Sequence, residues 1–206
     1  MPNTDYLRYL EELRQIPTLS GFENAGQKEV QQLLAPLFDD SRPAGVSGLL
    51  FTKKCGRENA PVLLIDAHLD EIGLIVTDLK DDGTLTVSSL GGMDARTYTA
   101  SSYTIHGKES IPALSLKKPY CLGGSEARKL PKNGEFWLFT GLTKEELIQK
   151  GVAVGTPVSM ERSTESLSEE QLCGAYMDDK SCAVAALIAL EELKGKDLSC
   201  DICLLL

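Results

Sequence analysis

Histidine is scarce in this sequence: His68 and His106 are the only two in 206 residues. Any chemistry that needs an imidazole therefore has two candidates. Basic residues are also in deficit, with 21 Lys and Arg against 30 Asp and Glu and a formal net charge of −9. That balance disfavours a nucleic acid or an anionic membrane surface as partner. The acids are spread along the chain rather than gathered in a tail, so they read mainly as a solubility feature. No apolar run approaches the roughly 18 residues that cross a bilayer. The start lacks the basic-then-apolar order of a secretory signal, so the cytoplasm is the expected location. No G-x-x-x-x-G-K-[ST] loop, G-x-S-x-G elbow or G-x-G-x-x-G turn is present.

Cysteine does not supply a framework either. Cys55, Cys121, Cys173, Cys182, Cys200 and Cys203 stand in a chain of this size without a secretion signal. Cys200 and Cys203 form one C-x-x-C. Positions three apart on a strand face opposite sides, and no second pair completes a four-ligand site. These cysteines are expected to be buried and unreactive.

What is present is ordinary globular material, 42% hydrophobic and 25% charged, enough for one or two domains. Tyr6, Leu7, Leu10 and Leu13 make an apolar stripe that predicts a helix over 5–16, stopped by Pro17. Ser20 and Glu23 have capping-box spacing before a second helix bearing Val30, Leu33, Leu34 and Leu37. Pro61 to Ala67 is a nearly continuous apolar run, the pattern of a strand buried on both faces. From about Glu71 to Arg162 the segments are short, β-rich and punctuated by Gly or Pro. Candidate strands there include 72–79, 84–90, 103–105, 113–116, 136–139 and 156–161, with one short helix at 143–150. Ser163 to Glu170 reads as an exposed connection. Asp178 or Asp179 then opens a helix to Leu193, and Asp201 to Leu206 reads as a strand. Helix and strand segments thus flank a β-rich middle, which predicts an α/β domain interrupted by an inserted β domain.

Two constellations offer chemistry. His68 follows the apolar strand, at the end where open α/β sheets place ligands. Asp70 stands two residues on and Glu71 next. A histidine that holds a metal through one ring nitrogen commonly donates its other N–H to a carboxylate. Alone, H-x-D-E is equally a strand-end histidine beside acids on a solvated turn. The second constellation is Gly174-Ala175-Tyr176-Met177-Asp178-Asp179-Lys180. Acids before a helix serve as N-caps, but capping needs only one of them. The other is free to bridge cations, and His with Asp is a partial zinc site. His106, with no acid close by in sequence, reads as structural.

Taken together these segments resemble the glutamyl and tetrahedral aminopeptidase family, within the clan of co-catalytic zinc exopeptidases. "LRQIPTLSGFE" (Leu13 to Glu23) is similar to that family's first helix and the turn after it. "LLIDAHLDEIGLIV" (Leu63 to Val76) resembles its first metal-binding strand. "DGTLTVSSLGGMDAR" (Asp82 to Arg96) resembles the entry to its inserted domain, and "GAYMDDKSC" (Gly174 to Cys182) its bridging-aspartate turn. The resemblance covers nearly the whole chain. One departure is Lys180, where the family usually has Arg.

The resemblance implies a zinc-peptidase-like α/β/α sandwich, here partial, with an inserted β-barrel, PDZ-like domain. It divides the chain into residues 1–70 and 163–206 of the catalytic domain and 71–162 of an inserted dimerisation domain. It implies two divalent metal ions, zinc or cobalt, with His68 on one and Asp178 bridging both, and Asp70 supporting His68. Peptides cleaved at their N-terminal residue are the implied substrates, and homo-oligomers form through the insertion. The family's general base and remaining ligands would follow Leu206. The chain is therefore expected to be an N-terminal portion, truncated, with weak metal binding and little or no hydrolysis. Two other readings are a non-catalytic protein that keeps the fold for assembly or binding, and a glucanase-type glycosidase built on the carboxylates Asp70, Glu71, Asp178 and Asp179.

Overall fold

The computed structural model describes residues 4–115, 129–130, 135–168 and 171–206. Cys121 and the end of the expected strand 113–116 lie outside them. The chain divides into two compact units, Met1–Glu71 with Arg162–Leu206, and Ile72–Glu161.

In chain order the first unit contributes α1 (Thr4–Gln15), α2 (Gln27–Leu34), β1 (Asp40–Ala44), β2 (Gly48–Lys53) and β3 (Val62–Asp66). The second unit holds β4 (Gly73–Leu79), β5 (Leu85–Leu90), the short α3 (Ala95–Tyr98), β6 (Ser102–His106), β7 (Ser110–Ser115), β8 (Phe136–Phe139), α4 (Lys144–Gln149) and β9 (Pro157–Met160). The chain returns to the first unit with β10 (Thr164–Ser166), β11 (Leu172–Gly174), α5 (Lys180–Glu192) and β12 (Asp201–Leu205). Among the described residues no helix is long and apolar enough to cross a membrane.

The first unit is a mixed sheet in the order β1-β2-β12-β3. β12 runs parallel to β3 and antiparallel to β2. One face is packed by helices. Leu49 and Phe51 of β2 and Ile202 and Leu204 of β12 meet Leu10 and Leu13 of α1, Val30 and Leu34 of α2, and Val184 and Leu187 of α5 in one core. The i, i+3, i+4 spacing of apolar residues in α1 and α5 meets the period-two face of the strands, which is why this packing forms.

The apolar run at 61–67 does not fill the place its composition predicts. β3 is an edge strand, paired among the described residues with β12 alone, and Val62, Leu63 and Leu64 are 61%, 50% and 56% exposed. Burial on both faces needs a layer packed on each face, and the helices of the first core pack on one face of this sheet. The predicted capping box at Ser20 does not form either. Glu23 accepts from Gly21 N at 2.7 Å, while the backbone N–H of Ser20 goes to Glu71 O at 3.0 Å. The segment 163–170, expected to be an exposed connection, is mostly exposed over its described residues and also contains β10, which pairs with β11 as a hairpin. Cys200 and Cys203 are half-buried, and Cys173 and Cys182 are exposed.

The second unit is a closed barrel with strand order β4-β5-β8-β7-β6-β9. Closure leaves no free sheet edge. Alternate residues point inward, so Leu74, Val76, Leu85, Val87, Ile105, Phe136, Leu138 and Val158 form a second core. Thr143 caps α4 with a full capping box: its hydroxyl accepts from Glu146 N, and the Glu146 carboxylate accepts from Thr143 N. Asp94 caps α3 by accepting from Arg96 N at 2.8 Å, and the Arg96 side chain holds its carboxyl down at about 2. His106 lies in the barrel wall, where its Nε2 sits 2.9 Å from Ser159 Oγ.

Candidate metal centre

The sheet carries His68 to its place. β3 ends at Asp66, and the chain continues through buried Ala67 and Leu69, which anchor in the first core. Side chains alternate, so His68 and Asp70 project away from that core. Thr18 fixes the segment from below: its hydroxyl donates to Leu69 O at 2.6 Å, its carbonyl accepts from Glu71 N at 2.9 Å, and Leu19 bridges to Glu71 in parallel.

The turn before α5 brings the second carboxylate. Asp179 occupies the N-cap position but makes no capping hydrogen bond. Its carboxylate instead faces the Cys182 thiol and pushes that thiol's pKa up. The peptide bond joining Asp178 to Asp179 is cis. Asp178 extends outward, its side chain 94% exposed.

His68 stands between two acids. Its Nδ1 lies 3.2 Å from Asp70 Oδ1 and 3.3 Å from Asp70 O. Its Nε2 lies 3.3 Å from Asp178 Oδ1. One ring nitrogen is therefore occupied from within its own segment, and the other faces a carboxylate from a distant one. Among the described residues no group of three His, Cys, Asp or Glu converges to hold a metal ion. Imidazole nitrogen and carboxylate oxygen are donor types that zinc and cobalt accept, so the pair fits as part of a site and supplies two donors. A cavity of about 130 Å³ opens beside His68 and Asp70, with Thr18, Glu23 and Gln27 in its wall.

The third residue of the strand-end motif behaves differently. Glu71 turns inward and is fully buried, with Lys180 and Arg162 against its carboxylate. Burial pushes the Lys180 ammonium down to about 8, against the upward pull of Glu71. No sequence pattern marked Arg162 or Arg14 for this cluster. The adjacency of Glu71 to the H-x-D motif and of Lys180 to the paired aspartates was the available signal.

Comparisons with known proteins bear on the family and the fold. The pattern of the M42 glutamyl aminopeptidase family matches residues 48–206. The glutamyl aminopeptidase of Lactococcus lactis is 27% identical over 193 residues, which is 90% of this chain and 54% of that protein. The lysyl aminopeptidase of Pyrococcus furiosus is 24% identical over 190 residues, 89% of this chain and 54% of that protein. An aminopeptidase from the archaeon Desulfurococcus kamchatkensis superposes with a TM-score of 0.85 at 27% identity, covering 97% of this chain and 55% of that one. The TET1 peptidase of Pyrococcus horikoshii, which can assemble into a tetrahedron or a large octahedral shell, has the same fold, with a TM-score of 0.82 at 22% identity over 97% of this chain and 60% of that one. The chain thus spans little more than half the length of these relatives. With the family pattern over more than half of its residues and the mixed α/β fold of its relatives, the chain belongs to the M42 glutamyl aminopeptidase family.

Proposed function

We propose that this chain carries part of a metal-dependent aminopeptidase site, with His68 and Asp178 as ligands of divalent zinc or cobalt and Asp70 orienting His68. The observation that carries the reading is the placement of the imidazole, Nδ1 on Asp70 and Nε2 toward Asp178. An acid on the rear nitrogen fixes the tautomer that leaves the front lone pair available and raises its basicity. Asp178, exposed and without a capping role, has oxygens left for two cations. Bound metals in such a pair polarise a scissile carbonyl and lower the pKa of a bound water. The chain's own residues do the rest here: Asp70 keeps the ring from rotating, and the core beneath Ala67 and Leu69 fixes where Nε2 points.

On this reading the substrates are peptides with a free N-terminus, and assembly into a homo-oligomer uses the barrel unit, a PDZ-like insertion within a partial α/β/α sandwich. Two donors give weak binding, so hydrolysis by this chain alone is expected to be slight. The test is titration with zinc and cobalt of the wild-type chain and of His68→Ala, with release of p-nitroaniline from aminoacyl substrates as the activity readout. Metal binding in the wild type that His68→Ala removes supports the proposal. Absent binding, or binding that His68→Ala leaves intact, overturns it.

A further inference from the structure

The first unit buries a carboxylate and three cations in one cluster that the proposed metal chemistry does not use. Glu71 has both oxygens engaged. Oε1 accepts from Lys180 Nζ and from Arg162 Nη1 at 2.7 Å, and Oε2 accepts from Arg162 Nη2 at 2.7 Å. Lys180 also donates to the carbonyls of Leu13 and Ile16 at 3.1 Å each, at the C-terminal end of α1. Arg162 lies over the Tyr176 ring, 4.5 Å from its centroid. Arg14 donates to Ala175 O at 2.6 Å and to Ser163 O at 2.9 Å. The turn that leads to Asp178 is thus gripped at Ala175, at Tyr176 and at Lys180.

A buried ion cluster adds little net stability over apolar packing of the same volume, because desolvation offsets the attraction. What it provides is direction: each bond fixes an angle that apolar contacts leave loose. The placement here is informative. Glu71 directly follows Asp70, and Lys180 is two residues beyond Asp178, yet the ion-paired residues are 109 apart in sequence. The clasp joins the two segments that must meet for His68 to face Asp178.

We propose that Glu71, acting through Lys180 and Arg162, is a positioning residue that sets the approach of His68 to Asp178. The consequence for metal affinity rests on the reading of that pair as ligands; the positioning itself does not. Glu71 touches neither His68 nor Asp178 and acts through the backbone on either side of the clasp.

The full metal-free chain tests this by nitrogen NMR of its imidazoles. There are two histidines, and His106, in the barrel wall, is the internal reference. Glu71→Gln and Lys180→Met are expected to shift both ring nitrogens of His68 and leave His106 in place. Lys180→Arg, which keeps the charge and the donors, is expected to restore the wild-type His68 signals. Leu190→Ala, which loosens the same core away from the clasp, is expected to leave them unmoved. Cobalt affinity should fall about tenfold in the two clasp variants, the scale of losses behind a ligand. Unmoved His68 signals in a folded Glu71→Gln chain, or an equal shift in Leu190→Ala, would overturn the proposal. If Glu71→Gln does not fold, Arg162→Gln carries the same two outcomes. If the wild type binds no cobalt while the His68 signals respond as expected, the metal reading fails and the positioning role stands.

Discussion

The Tyr98 phenol donates a 3.1 Å hydrogen bond to the backbone carbonyl of Trp137, and its ring stacks on Phe136 with centroids 4.0 Å apart. Burial raises its pKa well above the ordinary tyrosine value of 10.0. In the folded barrel the phenol stays protonated where the unfolded chain's ionises, so folding takes up a proton above pH 10 and stability falls as pH rises from there. Trp137 is the sole tryptophan, and its fluorescence reports denaturant unfolding of this unit. Tyr98→Phe is expected to flatten the alkaline decline. Equal slopes for the two proteins would exclude Tyr98 as its source.

Gly83 is held at φ +81°, and a Cβ there would lie 2.1 Å from Leu142 O. Gly83→Ala combines a left-handed backbone with a contact that the Leu142 backbone must move to relieve. The expected loss is about 2–4 kcal/mol in urea unfolding of the barrel. A loss under about 1 kcal/mol would show that the 80–84 turn has an alternative conformation.

Thr143→Ala removes the hydroxyl half of the α4 capping box. The expected cost is about 1 kcal/mol, with Thr143→Ser recovering most of it. Parallel losses for Ala and Ser would mean that the methyl group, not the hydroxyl, matters.

Asp70→Asn keeps the shape beside His68 Nδ1 but loses the charge. Under the proposed metal reading, zinc affinity is expected to drop 10- to 100-fold, while melting temperature changes little because Asp70 is half exposed. Unaltered affinity would remove Asp70 from the site.

Much of this was legible in the sequence, and the exceptions have physical causes. The stripes of α1 and α5 specify their elements because one face of each is buried and the other is wet. The H-x-D motif announced His68 and Asp70, and the paired aspartates announced their turn; the structure brings His68, Asp70 and Asp178 together. What local patterns do not carry is the identity of distant neighbours. Val62 to Leu64 are apolar enough to be covered, but composition does not say what covers them. Ser20 and Glu23 have capping-box spacing, yet the Ser20 N–H finds Glu71, a partner 51 positions away. No local pattern ties Arg14 and Arg162 to Glu71; that cluster exists only once the fold closes around the carboxylate.

The order of the sheet has a consequence for how the chain is made. β12, residues 201–205, lies between β2 and β3, residues 48–53 and 62–66. On the ribosome β2 and β3 emerge long before the strand that joins them, so the first sheet waits while the contiguous stretch 72–161 is synthesised. The barrel closes from neighbours within that stretch and can form first, whereas the first sheet depends on pairing across more than 130 residues, a slow kind of contact. The segment that presents His68 is thus among the earliest synthesised and the latest to be fixed in place.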